Sequence, residues 1–141
     1  MKVLHSIPSI EPARGGPSRA VLELARMSAT SGTEVTVAFG ASVSNASFAT
    51  PQMRGLEQVE FRPFPYSFPK RYSASRRMNE WLSQFVPTFD IVHVHSIYSL
   101  THLATFAPYP PKLVPAIKSL VVGFCIVILA IAPINNCNPF L

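Results

Sequence analysis

The sequence is constrained most by an alternation of strand-like and helix-like segments over residues 1–105. In the run Asp-Ile-Val-His-Val-His at residues 90–95, apolar residues occupy both odd and even positions and therefore point to both faces of a strand. Such a strand is typical of a parallel sheet, in which both faces of a strand are buried. The order strand, helix, strand, strand, helix, strand, helix predicts an α/β fold with a parallel, doubly wound sheet.

Hydrophobic periodicity places the individual elements. We expect strands at residues 3–7, 34–39, 59–64 and 90–95, and helices at residues 18–31, 73–85 and 98–105. The buried face of the first helix is predicted to consist of Val21, Leu24, Ala25 and Ser28. The prolines of the third strand favour a position at an edge of the sheet. Pro87 is expected to end the second helix.

The residue composition changes at Phe106, where the Pro-rich segment 107–111 precedes a nearly uncharged apolar stretch. We therefore divide the chain into a domain at residues 1–105 and an aberrant apolar tail at residues 106–141. The apolar run 120–132 is shorter than the roughly 20 residues that span a bilayer. A membrane span, a buried substitute strand and out-of-frame translation all fit the tail, and we favour the last.

The chain has a formal net charge of +5, and both of its cysteines, Cys125 and Cys137, lie in the tail. The cysteines match no metal or redox spacing. No secretory leader is visible, so a reducing, cytoplasmic location is expected. The excess of basic over acidic residues favours anionic partners, although a solvated basic surface explains this excess equally well.

The loop at residues 8–17 follows the first strand and opens the first helix. Gly15 and Gly16 would let the backbone approach a ligand, and the free N–H groups of a helix start favour a phosphate. Arg14 and Arg19 add positive charge nearby. The pattern is neither a dinucleotide fingerprint nor a Walker A loop, and a plain tight turn remains the alternative.

Two histidines, His93 and His95, lie two residues apart at the end of the fourth strand. Residues at this spacing point to the same face. We predict no metal, because no third ligand is evident in the sequence and Asp90 would face the other way. We expect His95, followed by Ser96, to reach the cleft and donate to a hydroxyl or phosphate, while His93 is structural.

Aromatic and basic residues alternate at residues 66–72, followed by Arg76 and Arg77. Such a segment binds single-stranded nucleic acid or an acidic membrane surface in other proteins. No RNA-binding signature accompanies it. We therefore expect no nucleic-acid partner and favour a basic loop near an acceptor or a membrane, with a solvated loop as the alternative.

Four segments together resemble the family 4 glycosyltransferases. Residues 2–9 look like the first strand of that family, and residues 14–25 look like its Gly-Gly loop and first helix. Residues 31–37 are similar to its Gly-His-Glu-Val-Thr-Val turn and strand, with Thr33 in place of the usual His. Residues 90–96 resemble its Asp-hydrophobic-hydrophobic-His-hydrophobic-His strand.

The resemblance implies the N-terminal, acceptor-side half of a GT-B enzyme, a Rossmann-like sheet with flanking helices. It implies that Gly15 and Gly16, with Arg14 and Arg19 beside them, approach a donor diphosphate. It also implies that His95 approaches the transferred sugar. The nucleotide sugar is then a substrate and no metal or other cofactor is expected, because side chains and helix ends stabilise the leaving group.

The implied function is sugar transfer from a nucleotide sugar to a polysaccharide or lipid-linked acceptor. Because residues 106–141 depart from the family pattern, we expect a truncated or frameshifted fragment with little or no activity alone. A separate donor-domain chain as a partner is left open. Peripheral contact with the inner face of the plasma membrane is left open. The alternatives are a non-catalytic sugar- or nucleotide-binding module and a small membrane-anchored protein.

Overall fold

The computed structural model describes residues 1–11, 16–42, 54–67, 75–95 and 126–130 of the chain. The strands are β1 (Lys2–Ile7), β2 (Glu34–Ala41), β3 (Val59–Pro65), β4 (Ile91–His95) and β5 (Ile126–Ala130). The helices are α1 (Gly16–Thr30) and α2 (Arg76–Phe85), and a 3-10 turn (Val86–Thr88) follows α2.

The five strands form one sheet in the order β3-β2-β1-β4-β5. Strands β1 to β4 are parallel to one another. An order in which the first strand lies between the second and the fourth is that of a doubly wound, Rossmann-like sheet. The predicted α/β fold is therefore confirmed, and each of the four predicted strands lies within two residues of its expected bounds.

The two helices pack on opposite faces of the sheet, because alternate residues of each strand point to opposite sides. Met78 and Leu82 of α2 pack with Leu4, Ala38, Val92 and Val94. Helix α1 packs on the other face, where Val21, Leu22, Ala25 and Ala29 contact a core that includes Ile7, Val35, Val37 and Phe39. Burying a Leu or Val side chain contributes about 1.5–3 kcal/mol, so these two clusters hold the sheet between the helices.

Helix α1 buries a face that differs in part from the predicted one. Its buried residues are Ser18, Val21, Leu22, Ala25 and Ala29. Val21 and Ala25 were predicted correctly, whereas Leu24 and Ser28 are only half-buried. Both stripes satisfy helical spacing, and tertiary packing selects the one with Ser18 and Ala29, whose small side chains allow close approach to the sheet.

Helix α2 begins later than the predicted residue 73, because Ser75 is extended and caps it. The Ser75 hydroxyl accepts from the Met78 N–H at 3.3 Å and donates to the Pro65 carbonyl at 2.7 Å. A side-chain cap satisfies one of the free N–H groups of the first turn. The helix ends at Phe85, directly before the turn that contains Pro87, as predicted.

Strand β3 lies at one edge of the sheet, where its prolines were expected to place it. At the other edge β5 pairs antiparallel with β4, within the stretch for which the sequence left a substitute strand open. No helix among the described residues is long and apolar enough to cross a membrane. The predicted helix at residues 98–105 lies outside the described residues.

Candidate functional site

The carboxyl ends of β1, β2 and β3 are tied together by one carbonyl group. The Pro8 carbonyl, directly after β1, accepts from the Gly40 N–H at 3.2 Å and from the Tyr66 hydroxyl at 2.9 Å. Gly40 is required by space, since a Cβ there would contact the Tyr66 ring and lie 2.7 Å from the Pro8 oxygen. In open α/β sheets, ligands bind outside this edge, which we call the carboxyl edge.

The start of α1 is fixed against the same loop. The Ser18 hydroxyl donates to the Ser9 carbonyl at 3.1 Å, and Ser18 is buried. Gly16 is exposed, and a Cβ on it would meet nothing within 4 Å. The first turn holds no acidic residue, and Arg19 is exposed. Free N–H groups, the helix dipole and Arg19 therefore make this end of α1 attractive to an anion.

Three of the predicted site residues lie outside the described residues: Arg14, Gly15 and Ser96. Their proposed contacts with a ligand therefore stay predictions. Among the predicted residues that are described, Gly16 and Arg19 lie together at the start of α1, and His95 lies at the end of β4.

His95 does not stand alone, because β1 places a third histidine beside it. His5 of β1 is the register partner of His93 in β4. All three rings lie on the face of the sheet that carries α1, since Leu4, Val92 and Val94 between them belong to the core on the other face. We call His5, His93 and His95 the histidine cluster.

The rings of the histidine cluster are in direct contact. His5 Nδ1 and His95 Nε2 are 3.1 Å apart, a hydrogen bond in which one of the two nitrogens carries the proton. The His5 and His93 rings meet edge to face with centroids 4.7 Å apart. His5 and His95 are 0% and 1% exposed, so this contact is closed to bulk water.

Burial favours the neutral form of His5 and His93. Desolvation lowers the pKa of His5 from 6.5 to about 3, with smaller contributions from the neighbouring charges of His93 and His95. Desolvation also lowers the pKa of His93. A charged imidazole would lose its hydration here and face two other rings. At neutral pH the His5 and His93 rings therefore offer lone pairs and N–H groups rather than positive charge.

Sequence reasoning missed His5, although it found the other two histidines. His5 and His95 are separated by 90 residues in the chain, so no local spacing connects them. The signal that would have found it is topological. In a doubly wound sheet the first and fourth strands are neighbours, and a histidine in the middle of β1 must then lie beside β4.

Within the described residues, Asp90 has a structural role because it joins the start of β4 to the start of β1. Its carboxylate accepts from the Lys2 N–H at 2.7 Å, and its own N–H donates to the Lys2 carbonyl at 2.9 Å. These two bonds fix the register of β4 against β1. They thereby fix which histidines face one another.

The basic and aromatic segment is used partly for packing. Tyr66 anchors the carboxyl edge, and the exposed Arg76 forms an ion pair with Glu80 at 2.9 Å. Residues 68–74 lie outside the described residues. The described part of the segment therefore supports the fold, and its proposed contact with an acceptor or membrane stays a prediction.

A comparison with protein families covers both the fold and the segments that carry the candidate residues. The model of "Glycosyltransferase Family 4" matches residues 14–117, which is most of the chain. This chain belongs to glycosyltransferase family 4. No curated protein and no solved structure matches it. The matched segment contains α1, β2, β3, α2 and β4, so the family 4 glycosyltransferase domain supplies both the start of α1 and the end of β4.

Membership of family 4 supports glycosyl transfer as the general activity and binding of a sugar donor and acceptor as the general recognition. Among the described candidate residues, Gly16 and Arg19 lie at the start of α1 and His95 lies at the end of β4. Both positions are at the carboxyl edge, outside which ligands bind in open α/β sheets. The remaining question is what each described residue does there.

Proposed function

We propose that this chain forms the acceptor-side half of a site that transfers a sugar from a nucleotide sugar to a polysaccharide or lipid-linked acceptor. The observation that carries the proposal is the position of the α1 start beside the carboxyl edge, within a family 4 domain. A second domain or a separate chain would supply most of the donor contacts, and this chain alone would turn over little or no donor.

In this proposal the start of α1 stabilises the leaving diphosphate. Negative charge develops on that group as the glycosidic bond breaks, and fixed N–H donors and cations aimed at it lower the barrier. Gly16 keeps the approach open, because nothing lies within 4 Å of the position that a Cβ would occupy. Arg19 adds a flexible positive charge, and Arg14 and Gly15 would complete the loop.

His95 is proposed to contact the transferred sugar from the end of β4. Its Nε2 already faces His5 in the described geometry. We infer that His5 orients the His95 ring, as a carboxylate or carbonyl orients a histidine in many active sites. The side of the His95 ring that faces away from His5 would then contact the sugar, and the ring could not rotate freely.

The proposal is tested with the purified full chain, several nucleotide sugars and lipid-linked or glycan acceptors. We expect nucleoside diphosphate binding, measured by calorimetry, and no robust transfer without a partner domain. Arg19→Ala should weaken diphosphate binding by about fivefold to tenfold, the effect of losing one exposed charge contact. Arg77→Ala removes an exposed arginine from α2 and serves as the matched control.

Equal binding by wild type and Arg19→Ala would contradict the proposed role of the α1 start. Robust turnover by the chain alone would contradict the half-site. A second candidate is a binding module without catalysis, which is favoured by the deep burial of His95, 1% exposed. Donor binding that persists with a complementary donor domain, but never leads to transfer, would support that module.

A further inference from the structure

The histidine cluster has the composition of a transition-metal site. One ring nitrogen from each of His5, His93 and His95 lies within 4.8 Å of the other two. Among the described residues, this group contains three imidazoles and no carboxylate. Imidazole suits zinc, copper, iron and nickel, whereas calcium and magnesium require oxygen ligands.

The distances are close to those that a tetrahedral ion needs. Zinc binds histidine nitrogen at about 2.0–2.1 Å, which places neighbouring nitrogens of a tetrahedron about 3.3 Å apart. His5 Nδ1 and His95 Nε2 are already 3.1 Å apart. The nitrogens of the cluster all lie within 4.8 Å of one another, so the remaining distances have to shorten by at most about 1.5 Å.

The polar atoms of the cluster are incompletely satisfied within the described residues. His5 Nε2 and His93 Nδ1 are both buried and have no hydrogen-bond partner there. An unsatisfied buried polar group costs about 1–3 kcal/mol, and such groups usually mark strain, function or a bound ion. The Nδ1 of His93 is therefore available to a ligand shared with the other two rings, whereas His5 Nε2 stays unsatisfied when His5 binds that ligand through Nδ1.

We propose that the histidine cluster binds one Zn²⁺ ion through a nitrogen of each ring, with water in the fourth position. The ion replaces the hydrogen bond between His5 and His95, and three protein ligands leave a tetrahedral ion one open position. His93 is only half-buried and gives the ion its route to the site. The inference does not depend on sugar transfer.

The test uses the full chain, stripped with a chelator, with Co²⁺ as a spectroscopic substitute for Zn²⁺. The background carries Cys125→Ser and Cys137→Ser, so that thiolates cannot bind the metal. We expect one equivalent of Co²⁺ to give the intense visible bands of a tetrahedral site, and Zn²⁺ to displace it. His93→Gln and His95→Gln should each weaken binding at least about 100-fold, since changes outside the ligand shell already cost 10–100-fold.

His102→Gln removes the remaining histidine of the chain and should bind Co²⁺ like the parent. Circular dichroism and the Tm without metal show whether each variant is folded. Zn²⁺ should raise the Tm of the parent and of His102→Gln, but not that of His93→Gln, because a ligand stabilises only the state that binds it. A folded parent without saturable tetrahedral bands would overturn the proposal. So would binding that is kept in His93→Gln and His95→Gln but lost in His102→Gln.

Discussion

The two faces of β1 and β4 are built from alternate residues of the same short segments, yet they differ in chemistry. Toward α2 the strands present Leu4, Val92 and Val94, which pack with Met78 and Leu82 of the helix. Toward α1 the same strands present the histidine cluster. The face toward α2 therefore gains stability from apolar burial. The face toward α1 combines apolar burial, to which Ile7 of β1 contributes, with polar rings that burial disfavours.

The comparison shows how a small parallel sheet can separate stability from chemistry. Because side chains alternate with a period of two, a single strand can contribute to an apolar core and to a polar cluster without compromise between them. The stability of β4 then depends on Val92 and Val94, while His93 and His95 are available for binding. Each of the following experiments perturbs one face and leaves the other unchanged.

The largest effect is expected on the apolar face. Leu82→Ala should lower the free energy of unfolding by about 2–5 kcal/mol, because Leu82 is 0% exposed and its removal leaves a cavity beside Val92 and Val94. Denaturant unfolding measures the change. Gln84→Ala, on the exposed side of the same helix, should change stability by no more than about 0.5 kcal/mol. A loss under about 1 kcal/mol for Leu82→Ala would show that α2 does not hold this face.

A smaller loss of stability is expected at the carboxyl edge, where Gly40 packs against Tyr66 and the Pro8 carbonyl. Gly40→Ala should cost about 1–3 kcal/mol, since the new methyl group would overlap the Tyr66 ring and the Pro8 carbonyl. Gly16→Ala is the matched control, because its methyl group would meet nothing within 4 Å. Thermal unfolding of both variants measures the difference. If the two substitutions had equal effects, the closure around Pro8 would not be rigid.

The smallest effect concerns the histidine face, which should respond to pH in metal-free protein. The pKa of His5 is about 3 when folded and 6.5 when unfolded, so below pH 6.5 the unfolded chain binds a proton that the folded chain does not. Stability should thus be fully present above pH 6.5 and fall by up to about 1.4 kcal/mol per pH unit between pH 6.5 and about 3. At pH 6 the loss is below about 1 kcal/mol. His5→Leu should flatten this slope, whereas Leu82→Ala should lower stability equally at every pH. An unchanged slope in His5→Leu would refute the assignment.

Much of the fold is predictable from local signals. The β-branched residues of β2 and the proline after α2 act within a few residues, and each places its element correctly. The buried face of α1 was predicted only in part, because two overlapping stripes share Val21 and Ala25. The choice between Leu22 and Leu24 depends on the shape of the sheet beneath the helix.

The candidate site is less predictable than the fold. The spacing of His93 and His95 correctly predicted a shared face. The contact with His5 follows from the neighbouring positions of β1 and β4 and from their register, which the Lys2–Asp90 pair fixes. Such contacts arise from topology, and residue patterns within one segment carry no information about them.

The bonds between Lys2 and Asp90 also determine when the sheet can close. They join residues 88 positions apart, and β1 is the strand between β2 and β4. Contacts this distant in sequence are slow to form, because loop-closure entropy is lost before they are gained. During synthesis at about 5–20 residues per second, one side of β1 waits roughly 4–18 s for its partner strand. Strand β1 leaves the ribosome before β2 and β4 and is fully paired only once β4 has formed, so its open side is exposed to aggregation in the meantime.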